Sequence, residues 1–301
     1  MKQLFISLVI GLFGSRMEVH AVEKIRETCI DAESKKAVPF ATIYVQSINL
    51  ITDADSSGLF EIEIAPDDTL LVTSIGYREQ KISASELKKV FVIPLQPLPV
   101  QLREVFIGNR KLMTVGFMKG KKKFGMNSDD CVRYEMATRI NIPDNVKQFQ
   151  IKSISIGGIG FNAENPVRIH IYSVGKYGEP HGEILKKDIV IKENNSRSNV
   201  LVIDVEDQEI FLNDKQFFVG VQWIADSINR ERIKIKKKHF IGPGIYCSHN
   251  ISSTVTYTRS LNRRVGWMLQ TDGFVYPYDY DKMPAKIESP LNMLVSCDIL
   301  Y

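Results

Sequence analysis

The sequence predicts an all-β protein built as two successive β-sandwiches. Three observations carry the prediction. Short segments rich in β-branched and aromatic residues recur along the chain and end at Gly, Pro, Asp or Asn. Several of them alternate apolar and polar residues, as strands with one wet face do. Helical periodicity is convincing only in "ASELKK", residues 84–89.

The chain has 301 residues, enough for two domains, with 44% hydrophobic and 25% charged residues, an ordinary balance for a folded protein. Its formal net charge of +4 gives no electrostatic case for a nucleic-acid partner. At the start, Lys2 precedes the apolar run "LFISLVIGLFG", which is too short to span a bilayer, and "VHA" ends at Ala21. Residues 1–21 read as a secretory signal peptide. No later segment is apolar for long enough to cross a membrane as a helix, so the mature chain is expected to be exported, to the periplasm, the outer membrane surface or beyond.

Residues 22–98 form the first sandwich. In "LFEIEI", Phe60, Ile62 and Ile64 face one way and Glu61 and Glu63 the other. Before it stands the acidic turn Asp53-Ala54-Asp55-Ser56-Ser57-Gly58. Its spacing mimics the start of a calcium loop, but the twelfth position is Ile64 where a bidentate Glu is required, and both flanks are strands. Asp and Ser side chains bonding their own backbone, with Gly at positive φ, make it a turn between strands.

The blocks "CIDAESKKAVPFATIYV", "LITDADSSGLFEIEI" and "DTLLVTSIGY" fall in the order of a known pattern. Asp31, Pro39, Thr52, Asp53, Gly58, Phe60, Leu71, Ser74, Gly76 and Tyr77 occupy its marked positions, and "IPLQPLPVQLREVFI" fits its ending. Residues 22–98 therefore resemble the carboxypeptidase-regulatory-like domain, common in exported proteins of Bacteroidetes. The resemblance implies an Ig-like or prealbumin-like β-sandwich without zinc ligands of its own. Cys29 replaces a usual Val, which implies a buried strand residue.

Residues 99–126 are Pro-punctuated, then basic at Lys119, Lys121, Lys122 and Lys123, and read as a linker. Residues 127–301 hold about ten further strands and almost no helix, which predicts a jelly-roll-like β-sandwich. The stretch "VRIHIYSVGKYGEPHGEIL" with "IDVEDQEIFLNDKQFFVGVQW" resembles jelly-roll accessory domains of exported bacterial proteins.

Catalytic signatures are missing. The G-x-G-x-x-A at Gly158 to Ala163 leads into a turn and a strand, whereas dinucleotide binding requires a helix there. No G-x-S-x-G elbow or H-E-x-x-H is present. The four cysteines Cys29, Cys131, Cys247 and Cys297 include no CxxC pair, and no metal or cofactor is expected. The basic run 230–238, alternating with Ile233 and Ile235, reads as a lysine-guarded edge strand, with binding of an anionic glycan, phosphate or lipid headgroup as the alternative.

The most site-like stretch is "QTDGFVYPYDYDKMP". Phe274, Tyr276, Tyr278 and Tyr280, with Asp279 and Asp281, offer rings to stack on sugars and carboxylates to bond hydroxyls. Tyrosines packing on the sheet are the alternative. Cys131 and Cys297, near the ends of the second sandwich, are the expected disulfide pair. The sequence thus points to an exported, non-enzymatic module for binding or assembly at the cell envelope, with a glycan or an envelope protein as ligand. The alternative is a glycan-active hydrolase on the jelly roll whose site lacks a motif.

Overall fold

The computed structural model describes residues 22–87, 91–99, 110–118, 122–126, 134–160, 166–192, 199–224, 243–248, 256–261, 266–269 and 291–301. Seven strands make the first sandwich: β1 (Glu23–Asp31), β2 (Thr42–Val45), β3 (Leu50–Asp53), β4 (Leu59–Ile64), β5 (Thr69–Thr73), β6 (Gln80–Ser83) and β7 (Val92–Leu95). One sheet has the order β4-β1-β7 and the other β3-β2-β5-β6. β1 is antiparallel to β4 and parallel to β7. Their facing sides share one core, with Cys29, Ile43, Phe60, Leu70 and Ile93 at its centre. As the alternation predicts, Phe60, Ile62 and Ile64 of β4 are buried. The short helix α1 (Ala84–Leu87) starts where the sequence places it. Its first turn is closed reciprocally: Ser83 N–H donates to the Glu86 carboxylate at 2.9 Å and Glu86 N–H to Ser83 Oγ at 3.3 Å, which satisfies donors a helix start leaves open.

The acidic turn is built as a turn, with one difference. Asp55 Oδ1 accepts from Ser57 N–H at 2.7 Å and Leu59 N–H at 3.0 Å, and Gly58 adopts φ +77°. Asp53 has a partner on another strand. It is only 2% exposed, and Thr42 donates its hydroxyl proton to Asp53 Oδ1 at 2.7 Å, on the side that faces the second sandwich. Asp31 and Tyr77, both positions of the recognised pattern, meet through a 3.0 Å hydrogen bond across 46 residues of sequence.

The second sandwich begins earlier than the sequence suggests. Within the stretch 99–126 that reads as a linker lie β8 (Leu112–Phe117) and β9 (Lys122–Met126). β8 pairs along its whole length with the last strand of the chain, and the basic end of the stretch, Lys122 and Lys123, falls in β9. The remaining strands are β10 (Tyr134–Asn141), β11 (Phe149–Ile159), β12 (Val167–Val174), β13 (Pro180–Glu183), β14 (Ile189–Ile191), β15 (Val200–Asp204), β16 (Phe211–Leu212), β17 (Gln216–Trp223), β18 (Gly244–Ser248), β19 (Thr256–Ser260), β20 (Met268–Leu269), β21 (Asn292–Met293) and β22 (Val295–Leu300).

One sheet runs β13-β12-β17-β10-β19-β20, with β14 also on β12. The other runs β21-β18-β11-β22-β8, joined by β9, β15 and β16. A separate core fills the space between them, from Met136, Ile169, Val219 and Trp223 on one side and Ile151, Ile154, Cys297 and Ile299 on the other. Gly157 and Gly158 lie in β11. A Cβ on Gly157 would come within 3.1 Å of the Leu294 side chain, a close approach that favours glycine there, and residues 161–163 of the G-x-G-x-x-A lie outside the described residues.

Candidate functional site

The basic run 230–238 and the aromatic–acidic stretch with Phe274, Tyr276, Tyr278, Tyr280, Asp279 and Asp281 lie outside the described residues, as does Cys131. Its expected partner Cys297 is a free, buried thiol of the core, like Cys29 and Cys247. Burial pushes the Cys29 and Cys247 thiols up to about 12, far from a reactive thiolate.

The polar groups that the fold does gather lie elsewhere, on the outer face of the β12-β17-β10-β19 sheet. Strand β12 alternates as a half-buried strand would. Val167, Ile169 and Ile171 enter the core, which turns Arg168, His170 and Tyr172 to the other face. That face is covered too, and all three polar residues are buried. Gln222 of β17, Glu135 of β10 and Arg259 of β19 stand beside them, and Glu183 reaches in from β13.

At the centre is Glu135, with no exposure at all. Tyr172 donates its hydroxyl proton to Glu135 Oε1 at 2.6 Å. Arg259 reaches Oε2 through Nε at 2.8 Å and Nη2 at 2.7 Å. The Arg259 guanidinium lies 4.4 Å from the centre of the Trp267 ring and 5.8 Å from that of Tyr172, a cation between aromatic rings. Burial alone pushes the Glu135 carboxyl up, but the charges of His170 and Arg259 and the bonds from Tyr172 and Arg259 overcome it and hold the group below its usual range. For Tyr172, burial and then the Glu135 charge push the phenol well above its ordinary value.

His170 stacks on Tyr172, ring centres 5.2 Å apart. Its Nδ1 is 2.6 Å from Glu183 Oε2 and its Nε2 is 2.9 Å from Gln222 Oε1. Glu183 is itself fixed, because its Oε1 accepts the backbone N–H groups of Ile171, Ile184 and Leu185 at 3.0–3.1 Å. Gly220 makes room for this packing. A Cβ there would sit 3.0 Å from His170 Cβ and 3.1 Å from both Glu135 Oε1 and the Tyr172 ring.

Arg168 extends the cluster to the first sandwich. Its Nε contacts both oxygens of Asp188 at 2.9 and 3.2 Å, and its Nη1 donates to Gln222 Oε1 at 3.2 Å. Across the junction, Nη1 donates to Thr42 Oγ1 at 3.3 Å and lies 4.0 Å from Asp53 Oδ1, while Nη2 donates to the Phe40 carbonyl. Phe40 has φ +55°, an unusual backbone state for a bulky residue, and that conformation accompanies its carbonyl bond to Arg168. Lys192 lies over the Phe40 ring at 5.0 Å. Nearby, Gly76 at φ +86° passes so close to the Lys186 carbonyl that no side chain fits.

Chemically the cluster is closed. A general acid or base needs an exchangeable proton or a lone pair aimed at a substrate. Here both ring nitrogens of His170 and both carboxylate oxygens of Glu135 are taken by groups of the same chain, at the places just given. Sequence inspection missed these residues because "VRIHIYSV" reads as a strand with a solvated polar face. An Arg, a His and a Tyr on one face of a single strand was the available signal.

Among the described residues, the fold and cluster define a class: two β-sandwiches in tandem, joined by buried charge. Within it, residues 26–107 match the family model of the CarboxypepD_reg-like domain, in agreement with the motifs of the first sandwich. Neither the curated proteins nor the solved structures contain a match to this chain. Among the described residues no helix is long and apolar enough to cross a membrane.

Proposed function

We propose that the chain is an exported, non-enzymatic binding or assembly module of the cell envelope. In it the carboxypeptidase-regulatory-like sandwich is held as a fixed appendage of the second sandwich. The observation that carries this reading is Arg168: a single buried guanidinium engages Asp188 and Gln222 of its own sandwich and Thr42, Asp53 and Phe40 of the other. A buried charge is tolerated only when its partners are complete, so the junction is suited to transmit position between the two parts. A regulatory-like domain appended to a second β-domain, with no open acid–base pair in the buried cluster, fits a module that binds and positions.

On this reading the aromatic–acidic stretch, Phe274 to Asp281, supplies the ligand contacts, with a glycan or an envelope protein as the ligand. The test is a glycan array and an envelope-extract pull-down with the chain from residue 22 onward, run beside the variant Tyr276→Ala/Tyr278→Ala/Tyr280→Ala. Saturable capture that the triple variant loses, with the glycan recovered intact, is the expected result. Cleavage of a glycan by the wild type that Glu135→Gln or Glu183→Gln abolishes would overturn it in favour of a hydrolase.

A further inference from the structure

The surroundings of His170 fix its protonation state. Glu183 Oε2, facing Nδ1, is a carboxylate oxygen and can only accept. Gln222 Oε1, facing Nε2, also receives Arg168 Nη1. A guanidinium has donors and no acceptor, so this contact sets the oxygen of the Gln222 amide toward both partners. Both ring nitrogens of His170 therefore donate, and the ring is an imidazolium. The charged and titratable groups facing it are Glu183 from β13, Glu135 from β10, Arg168 and Tyr172 from its own strand, and Arg259 behind Glu135 from β19. The two carboxylates favour the cation and Arg168 opposes it.

Losing the Nε2 proton to solvent has a defined consequence. The bond to Glu183 keeps the remaining proton on Nδ1, so Nε2 would present a lone pair to Gln222 Oε1. Relief requires the amide to turn its NH2 toward the ring, and that swings the NH2 toward Arg168 as well, donor against donor. Arg168 is the residue that grips Phe40, Thr42 and Asp53 of the first sandwich. We propose that His170 is a pH-sensitive latch: in its protonated form it holds Gln222, and through Gln222 Arg168, in the arrangement that docks the two sandwiches, and its deprotonation loosens that docking. Burial alone lowers the tendency of His170 to hold its proton, yet the charge of Glu135 and the bond and charge of Glu183 raise it above the ordinary histidine value. A raised folded-state value means that the contribution is fully present below the ordinary value and is lost as pH rises through the raised one. The latch is closed in acid and opens on the alkaline side.

The test is hydrogen exchange on the chain from residue 22 onward across that pH range, corrected for intrinsic rates, read in segments 39–45 and 184–192 at the junction and in 149–156 as a core reference. Junction protection should fall by about tenfold, the scale of one charge-assisted hydrogen bond, with the core unchanged. Its midpoint should coincide with the titration of the His170 Cε1–H resonance. His170→Gln, which cannot titrate, should remove the step. Gln222→Glu, an anionic acceptor for both neighbours, should move the midpoint to higher pH. Junction protection independent of pH in the wild type, a step retained in His170→Gln, or a midpoint unlike that of the ring would each overturn the proposal. The wild-type comparison of the two midpoints decides the matter even where a variant does not fold.

Discussion

Arg168 and Asp53 belong to different sandwiches and lie 115 residues apart in sequence, yet their charged groups come within 4.0 Å, both almost wholly buried, with the Thr42 hydroxyl between them. Thr42 accepts from Arg168 and donates to Asp53, so the pair is completed by a hydrogen-bonded relay. Removing Arg168 leaves buried Asp53 and half-buried Asp188 without the guanidinium that lies beside both. Arg168→Met is expected to cost about 3–5 kcal/mol, the usual penalty for breaking a buried ion pair from one side. Arg168→Lys keeps the charge but loses the fork that serves Asp188, Gln222 and Phe40 at once, and its stability should fall between those of the wild type and Arg168→Met. Urea unfolding of each variant measures this.

Two glycines test the first sandwich and its junction separately. At Gly58, φ is +77° and a Cβ would lie 2.7 Å from the Cys29 carbonyl. Gly58→Val should destabilise the first sandwich by at least about 2 kcal/mol, from backbone strain and clash together. At Gly76 the obstacle is the Lys186 carbonyl of the second sandwich. Gly76→Ala should raise hydrogen exchange at 184–192, whereas Gly58→Val should act first on 23–31 and 59–64.

The contrast between those glycines shows what the sequence could reveal. Gly58, Phe60 and the strand alternation of 59–64 are local, so pattern and turn chemistry predict them. Asp53 reads in the sequence as a turn residue, and only the approach of Arg168 reveals its part in a buried ion pair. His170, Glu135 and Arg259 stand on β12, β10 and β19, which pairing brings into one sheet with β17 between the first two. Nothing in their spacing announces it, and the covered outer face of β12 follows from docking rather than from alternation. The start of the second sandwich was illegible for a similar reason: β8 is recognisable as a strand only through its partner β22.

Glu27 gives a pH test within the first core. It points inward with Ile25 and Cys29, is 9% exposed, and its Oε2 has no hydrogen-bond partner among the described residues. Burial raises its pKa. With the folded value above the unfolded one, folding is favoured at low pH and loses that contribution as pH rises through the raised value. Glu27→Gln should stabilise the protein at neutral pH by about 1 kcal/mol, the order of a relieved buried polar group, and the gain should vanish in acid. Melting curves of both proteins across pH check the sign.

The buried thiols make a countable prediction. Cys29, Cys247 and Cys297 are free and enclosed in the two cores. A thiol reagent should label none of these three in the native protein. Unfolding without reductant should expose these three together with Cys131, four thiols in all. Only two free thiols in the unfolded, unreduced chain would instead indicate the bridge between Cys131 and Cys297.

The docking of the sandwiches through buried charge is tested most directly by a double-mutant cycle between Arg168 and Asp53, with Arg168→Met, Asp53→Asn and the pair compared by chemical unfolding. A coupling energy of about 0.5–3 kcal/mol, the range found for residues in one hydrogen-bond or salt-bridge network, is the predicted result. Additive single effects, with no coupling beyond experimental error, would contradict the account.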